Sequence, residues 1–334
     1  SVALNFRSEK GRALLRELAF KADVLVENFK PGVAEAMGLC AEELRAENPG
    51  LIYASISGFG SSGPYGSWPG VDQIAQGMSG FMSVTGTVES GPTRVGVPIG
   101  DLTAGMWTAI GILSALFKRQ ATGNGDKVET SLLTSLMGLL CVQGQRYLSL
   151  GEVAEPAGNQ HPVICPYGIV QAADGPLNIS VSTSRMWQEM CLIIGQEDLI
   201  EHPDYADNSA RLRNRVSLMQ ILDVAFAKDT HRNWASRLIA AGVPAGPIYT
   251  TDQVFTNPHV MATGVVESVL HPTIGQLNLV GNPARLSSLG GKSVHRPPPL
   301  LGEHTLEALQ AWGIPKERID GLLSNNVLQP LMEK

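Results

Sequence analysis

Short apolar runs alternate with helix-patterned segments through the opening stretch of this chain, and that alternation restricts its fold more than any other feature. Residues 1–6 (Ser-Val-Ala-Leu-Asn-Phe) alternate as a strand does. Ser8 then stands where a helix cap belongs, ahead of a helix over 9–20 whose Leu14, Leu15 and Leu18 fall on one inward face. Residues 23–29 (Asp-Val-Leu-Val-Glu-Asn-Phe) read as a short buried strand with a polar end. Lys30-Pro31-Gly32 turns the chain into a short helix ending near Met37, a second helix covers 41–47, and 51–57 form a third strand. Such alternation predicts an α/β fold, a Rossmann-like parallel sheet with helices on its faces. Ligands in these sheets lie beyond the carboxyl ends of the strands. Asn28-Phe29-Lys30 and the Gly/Ser/Pro loop over 58–70 therefore fall on one rim.

The spacing next predicts a helix over 72–81, a loop or short strand over 91–100, a strand over 127–130 and an apolar helix over 132–150. Residues 151–166 change texture to Gly, Pro, Asn and His, as a linker does. A smaller α+β unit follows. Asp174-Gly175 marks a hairpin inside 167–181, helices cover 186–194, 209–227 and 233–241, and 243–248 lead from loop to strand. From 263 the chain is extended and Pro-rich, and helices over 303–312 and 316–323 close it. The expected units are a large domain over 1–150, a linker and small domain over 151–262, and a return segment over 263–334 that completes the large domain.

One stretch stands out for chemistry: Val95-Gly96-Val97-Pro98-Ile99-Gly100-Asp101-Leu102-Thr103-Ala104-Gly105-Met106-Trp107. Leu102, Met106, Trp107, Ile110, Leu113, Leu116 and Phe117 recur at helical spacing, which predicts a buried apolar face. Lys118, Arg119 and Gly123 supply a C-terminal charge and stop. Asp101 thus sits at a helix start, where unpaired backbone N–H groups favour an anion. Two readings stay open for it. It is a helix N-cap, or it is a reactive carboxylate that Gly96, Gly100 and Gly105 leave accessible to a bulky ligand.

Composition narrows the classes. A formal charge of −6 gives no electrostatic footprint for nucleic acid, and no uninterrupted apolar run approaches a bilayer-spanning length. Cys40, Cys141, Cys165 and Cys191 are far apart and the seven histidines are scattered, so neither a metal site nor a disulfide framework is expected, and a cytoplasmic setting is the simplest. There is no Walker loop, no Gly-x-Gly-x-x-Gly after a strand and no Gly-x-Ser-x-Gly elbow.

Several passages recur in one order: 1–7, 23–32, Ser55-Ile56-Ser57-Gly58-Phe59-Gly60 with Gly63-Pro64-Tyr65, Gly100 to Gly105, Thr122-Gly123-Asn124-Gly125, Gly242-Val243-Pro244-Ala245-Gly246-Pro247, and Pro298-Pro299-Leu300-Leu301-Gly302-Glu303-His304. In this order and spacing the chain resembles, along nearly its whole length, the family III CoA-transferases. These are the formyl-CoA and carnitine CoA-transferase type, and they include the alpha-methylacyl-CoA racemases. The resemblance implies that Asp101 is a nucleophile passing CoA from an acyl-CoA donor to a carboxylic acid acceptor through aspartyl intermediates. It places Leu4 and Arg7 near the CoA nucleotide, Asn28, Phe29 and Lys30 on the rim that grips CoA, and Gly70, Val71 and Asp72 beside the pantetheine. Coenzyme A is then a substrate, with no permanently bound cofactor.

Ala36 and Met37 replace a basic position that some members use for a CoA phosphate. His161-Pro162-Val163-Ile164-Cys165-Pro166-Tyr167 replaces the glycine-rich lid of the formyl-CoA enzymes, which argues against an oxalate-specific member. His161 and Tyr167 become candidate substrate contacts, with a structural linker role for His161 as the other reading. Succinyl-CoA is the first guess for donor, and small dicarboxylates for acceptors. A racemase would need a histidine where this chain has Val71, which cannot take a proton; a catalytically silent CoA-binding protein would not need Asp101. The resemblance also implies an interlocked homodimer. Family members carry further residues ahead of the point matching Ser1, so an exposed sheet edge is expected beside 2–6 and 24–26.

Overall fold

The computed structural model describes residues 1–331. Its first layer is a parallel sheet with helices in the connections. Helix α1 (Glu9–Lys21) starts on the Ser8 hydroxyl, which accepts the Gly11 N–H, and it buries Leu14 completely. Strand β1 (Val24–Glu27), helices α2 (Val33–Ala36) and α3 (Ala41–Glu47), and strand β2 (Ile52–Ser57) follow as the alternation predicts. Helix α4 (Asp72–Met78) and the long helix α5 (Ile99–Thr122) lead to strand β3 (Lys127–Ser131). The sheet order is β1-β2-β3, all parallel, with Val26 opposite Ala54 and Ala54 opposite Val128.

Helix α5 lies on β2 and β3. Its sheet-facing side differs from the sequence expectation. Thr103, Ala104, Thr108 and Ala115 are buried, whereas Leu102, Met106, Trp107, Ile110 and Leu113 are exposed and Phe117 is 78% exposed. The reason is distance. A Cβ on Gly111 would lie 2.5 Å from Val128 Cγ1, so the helix approaches the strand too closely for large side chains. The large residues on α5 therefore turn outward. Gly123, at φ 73°, ends the helix and donates its N–H to the Arg119 carbonyl.

Three more expectations change in this half. Residues 1–6 form no sheet strand; Leu4 makes a single antiparallel bridge to Leu328, and Ala3 and Ser1 hydrogen-bond near the start of a C-terminal helix. β1 reads as buried from its own residues but is an edge strand, with Val26 54% exposed, in keeping with the exposed sheet edge expected beside 24–26. The helix over 132–150 breaks into α6 (Leu132–Leu139) and α7 (Cys141–Leu150), where Cys141 adopts φ 39°.

Residues 151–166 carry no regular structure. The second unit opens with the antiparallel hairpin β4 (Tyr167–Ala172) and β5 (Gly175–Ser180), which turns at Ala173-Asp174, one residue before the expected Asp174-Gly175, because Gly175 already pairs with Ala172. Helices α8 (Ser184–Ile194), α9 (Asn208–Arg213), α10 (Arg215–Phe226) and α11 (His231–Ala240) and strand β6 (Ala245–Pro247) complete it; the expected helix over 209–227 is split at Asn214. Trp187, Phe226, Leu177, Ile179, Leu218 and Leu222 fill its core, where Phe226 meets Trp234 edge to face at 5.4 Å.

Helices α12 (Thr251–Thr256) and α13 (Pro258–Ala262) then precede a hairpin of β7 (Val266–His271) and β8 (Gly275–Val280) in a segment that reads only as extended. Helices α14 (Thr305–Ala311) and α15 (Lys316–Ser324) and the turn between them pack Leu309, Ile319 and Ile314 against Leu14 of α1, so the chain's end returns to its beginning.

Candidate active site

Asp101 occupies the first turn of α5, but Pro98 holds the cap position and Asp101 caps no N–H of the helix. The N-cap reading of Asp101 is thereby overturned. Its carboxylate has no hydrogen-bond or ion-pair partner among the described residues, and the residue is exposed. Its pKa is nevertheless raised. The larger cause is that surrounding protein strips water from part of the carboxyl; the second is the negative charge of Asp72. A Cβ on Gly96 or Gly105 would meet nothing within 4 Å, so space flanks the carboxylate on both sides in sequence. An open, unpaired carboxylate whose negative charge is disfavoured has the chemistry of a nucleophile and differs from a structural salt-bridge partner.

Asp72 explains why the first turn of α5 is held in place. Only 7% exposed, it accepts the Gly100 N–H on Oδ1 at 2.8 Å and the Gln76 side-chain amide on Oδ2 at 2.7 Å. A carboxylate from α4 thus satisfies a donor that α5 leaves unpaired. The approach is tight: a Cβ on Gly100 would stand 3.0 Å from Asp72 Oδ1 and 3.1 Å from Leu136 Cδ1. Gln76 in turn accepts the Val95 N–H, fixing the strand of loop that enters the helix. Gly70 and Gly58 cross at backbone contact, where a Cβ on either would come within 2.5 Å of the other's Cα. Val71, between Gly70 and Asp72, is 62% exposed.

The rim residues gather at the carboxyl ends of β1 and β2. Asn28 donates its amide to the Ile56 carbonyl at 2.7 Å and ties the two strand ends together. Phe29 and Lys30 border a cavity of about 500 Å³ with Ser55, Ser57, Lys127 and Glu129. Glu27 accepts the Ser55 hydroxyl and the Phe29 N–H there. Leu4 and Arg7 lie elsewhere. Leu4 packs with the α14–α15 cluster, Arg7 is exposed, and no hydrogen bond or ion pair among the described residues joins either to α5.

His161 lies in the 151–166 linker and Tyr167 at the start of β4 in the second unit. Their rings stack at 4.8 Å, the His161 N–H binds the Tyr167 carbonyl, and Arg215 holds the His161 carbonyl at 2.7 Å. They border another cavity, of about 610 Å³, with Asn178, Ser180 and Gly246. Two residues that contact Asp72 escaped the sequence reading, Gln76 and Arg94. The Arg94 guanidinium lies 3.6 Å from Asp72 Oδ2. Gln76 could have been found by its place one helical turn after Asp72; Arg94, in a loop, carries no such signal.

Comparison with known proteins agrees with this arrangement. The profile described as CoA-transferase family III matches residues 1–305. Human succinyl-CoA:glutarate CoA-transferase is 34% identical over 93% of this chain and 70% of its own length. Formyl-CoA:oxalate CoA-transferase of Streptomyces coelicolor is 33% identical over 98% of this chain and 83% of its own. The crystal structure of a CAIB/BAIF family protein from Brucella suis superposes with a TM-score of 0.80 at 36% identity, over 93% of this chain and 81% of that one. A profile match over nearly the full chain, relatives above 30% identity and a shared fold lead to one conclusion: the chain belongs to CoA-transferase family III.

Proposed function

We propose that this enzyme moves CoA from a donor acyl-CoA to a small dicarboxylic acid, with Asp101 as covalent nucleophile. The observation that carries the reading is the Asp101 carboxylate itself, unpaired and open at the first turn of α5 with its charge disfavoured. The carboxylate attacks the thioester carbonyl of the donor, forming an aspartyl mixed anhydride and releasing CoA thiolate. The thiolate attacks the aspartyl carbonyl, giving an aspartyl-CoA thioester and the free donor acid. The acceptor carboxylate repeats the sequence in reverse: it forms a second anhydride, and the returning thiolate takes its acyl group and frees Asp101. Each step exchanges one acyl–oxygen or acyl–sulfur bond for another, so no redox partner or net proton is needed.

Asn28, Phe29 and Lys30 are proposed to hold CoA at the rim, with Leu4 and Arg7 toward its nucleotide and Gly70, Val71 and Asp72 flanking the thioester. His161 and Tyr167 are proposed as substrate contacts from the linker and the second unit. The relatives' names, which specify glutarate and oxalate as acceptors and succinyl-CoA or formyl-CoA as donors, support a dicarboxylate acceptor and a succinyl-CoA donor. All four cysteines are free, which suits a reducing compartment such as the cytoplasm. Val71 at the position beside Asp72 supplies no second base, which disfavours the racemase alternative.

Incubation with succinyl-CoA and hydroxylamine tests the assignment. Trapped product should map to the peptide containing Asp101, and Asp101→Ala and Asp101→Asn should lose at least 10³-fold in CoA transfer, about 4 kcal/mol, while CoA still binds. Transfer by Asp101→Ala within tenfold of the parent enzyme would sink the reading.

A further inference from the structure

Arg94 is held by the backbone on either side of it more than by its own side chain. Its backbone is fixed on both sides: the Thr93 N–H binds the carbonyls of Met82 and Thr85, and the Val95 N–H binds Gln76 Oε1. Its guanidinium is not fixed to the same degree. The contact with Asp72 Oδ2 is 3.6 Å long, an ion pair without a hydrogen bond, while the two Asp72 oxygens accept the Gly100 N–H and the Gln76 amide. Among the described residues no acceptor engages any of its five N–H donors. The side chain is 38% exposed. It is therefore an oriented cation with an unused planar fork, one carboxylate removed from the nucleophile's own turn of helix.

A planar fork of this kind matches a carboxylate in two parallel hydrogen bonds. We infer that Arg94 is the residue that recognises the second, non-reacting carboxylate of a dicarboxylic substrate, an inference that rests on the reading of Asp101 as nucleophile. The charges make the case. In the free enzyme Asp72 lies beside Asp101, whose ionisation it disfavours, and pairs with the single Arg94 at 3.6 Å, so these three groups carry one net negative charge and repel a dianion. Once Asp101 is esterified as the CoA thioester its charge is gone, and Arg94 balances Asp72 alone. A dicarboxylate then meets a neutral neighbourhood with free N–H donors, so the acceptor's far carboxylate binds the charged-up enzyme in preference to the free one. A monocarboxylic acid has nothing to offer this fork.

The test compares two acceptors of equal chain length, glutarate and valerate, with butyryl-CoA as a donor that has no second carboxylate. Arg94→Gln should lower kcat/KM for glutarate by ~30-fold, about 2 kcal/mol at 1.36 kcal/mol per decade, chiefly through KM. Valerate should change less than threefold, as should hydroxylamine trapping at Asp101. Arg94→Lys, which keeps the charge but not the fork, should recover part of the glutarate loss. Equal losses for the two acids in both variants would mean that Arg94 only braces Asp72, and would overturn the inference. A parent enzyme that neither transfers CoA nor yields trapped Asp101 would instead overturn the nucleophile assignment and take this inference with it.

Discussion

A carboxylate serves as a nucleophile only when it is ionised, reachable and not already occupied by a cation. Asp101 meets the last two conditions because Asp72, and not Asp101, takes up the Gly100 N–H and the nearby Arg94. The first condition sets a pH limit. Partial desolvation and the Asp72 charge raise the Asp101 pKa, so transfer should fall on acidification at a pH above the ordinary carboxylate range near 4. Neutralising Asp72 removes the like charge and lets Asp101 ionise more easily. Asp72→Asn, which keeps an oxygen for the Gly100 N–H, should therefore move the acid limb of kcat/KM to lower pH. An acid limb that stays put or moves upward would assign the shift to desolvation alone. The sequence placed Asp101 at a helix start from its glycines and the apolar spacing beyond it. Whether its side chain capped that helix depended on Pro98 and Asp72, which no local pattern reveals.

At the scale of elements, α4 and α5 form one device. Gly100 is the contact point, small enough for Asp72 and Leu136 to close on the first turn of α5. Gly100→Ala should push that turn outward by a few tenths of an ångström or displace Asp72. A stability cost of about 1 kcal/mol and a loss of kcat of ~10–100-fold are expected, measured by thermal unfolding and CoA exchange, because small misplacements at the reacting atom are amplified in rate. Equal kcat in the variant would show that the close approach is packing and nothing more. The same closeness governs the remainder of α5. Helical spacing of large apolar residues marked a stripe, but the stripe facing the sheet is the small-residue one, since Gly111 meets Val128. Periodicity reports that two faces differ; interhelical and helix–sheet distances decide which face goes in.

At the scale of the whole molecule, Met106, Trp107, Ile110, Leu113 and Phe117 on α5, and Tyr147, Leu148 and Leu150 on α7, are large apolar side chains left exposed. Of the described helices, α5 is long and apolar enough to cross a membrane. Its other side, however, rests on β2, β3 and α6, which a bilayer would not supply. We propose that a second copy covers these exposed side chains, in the interlocked homodimer that the resemblance implies. The linker over 151–166 and the return past β8 would be the threaded segments. An apolar interface of that kind couples folding to association. Sedimentation at nanomolar concentration should therefore find dimer or unfolded chain. A folded monomer there would refute the arrangement.

The local chemistry of the chain is what its sequence determined alone. The Ser8 cap, the Gly123 stop, the hairpin turn beside Asp174 and the strand–helix alternation that makes β1 and β2 parallel neighbours all depend on residues adjacent in the chain. The motif order likewise identified the family and marked Asp101. Tertiary structure decided everything that needs a distant partner. Among the described residues, 1–6 alternate like a strand but make a single bridge, Leu4 to Leu328, and β1 reads as buried but has β2 as its one neighbour. The hairpin of β7 and β8 forms in a segment whose prolines and glycines suggest only extension. Arg94 is an anonymous loop residue until the fold sets it beside Asp72. Caps and turns are fixed within a few residues, whereas burial, strand pairing and charge neighbourhoods are fixed by what the rest of the chain brings to them.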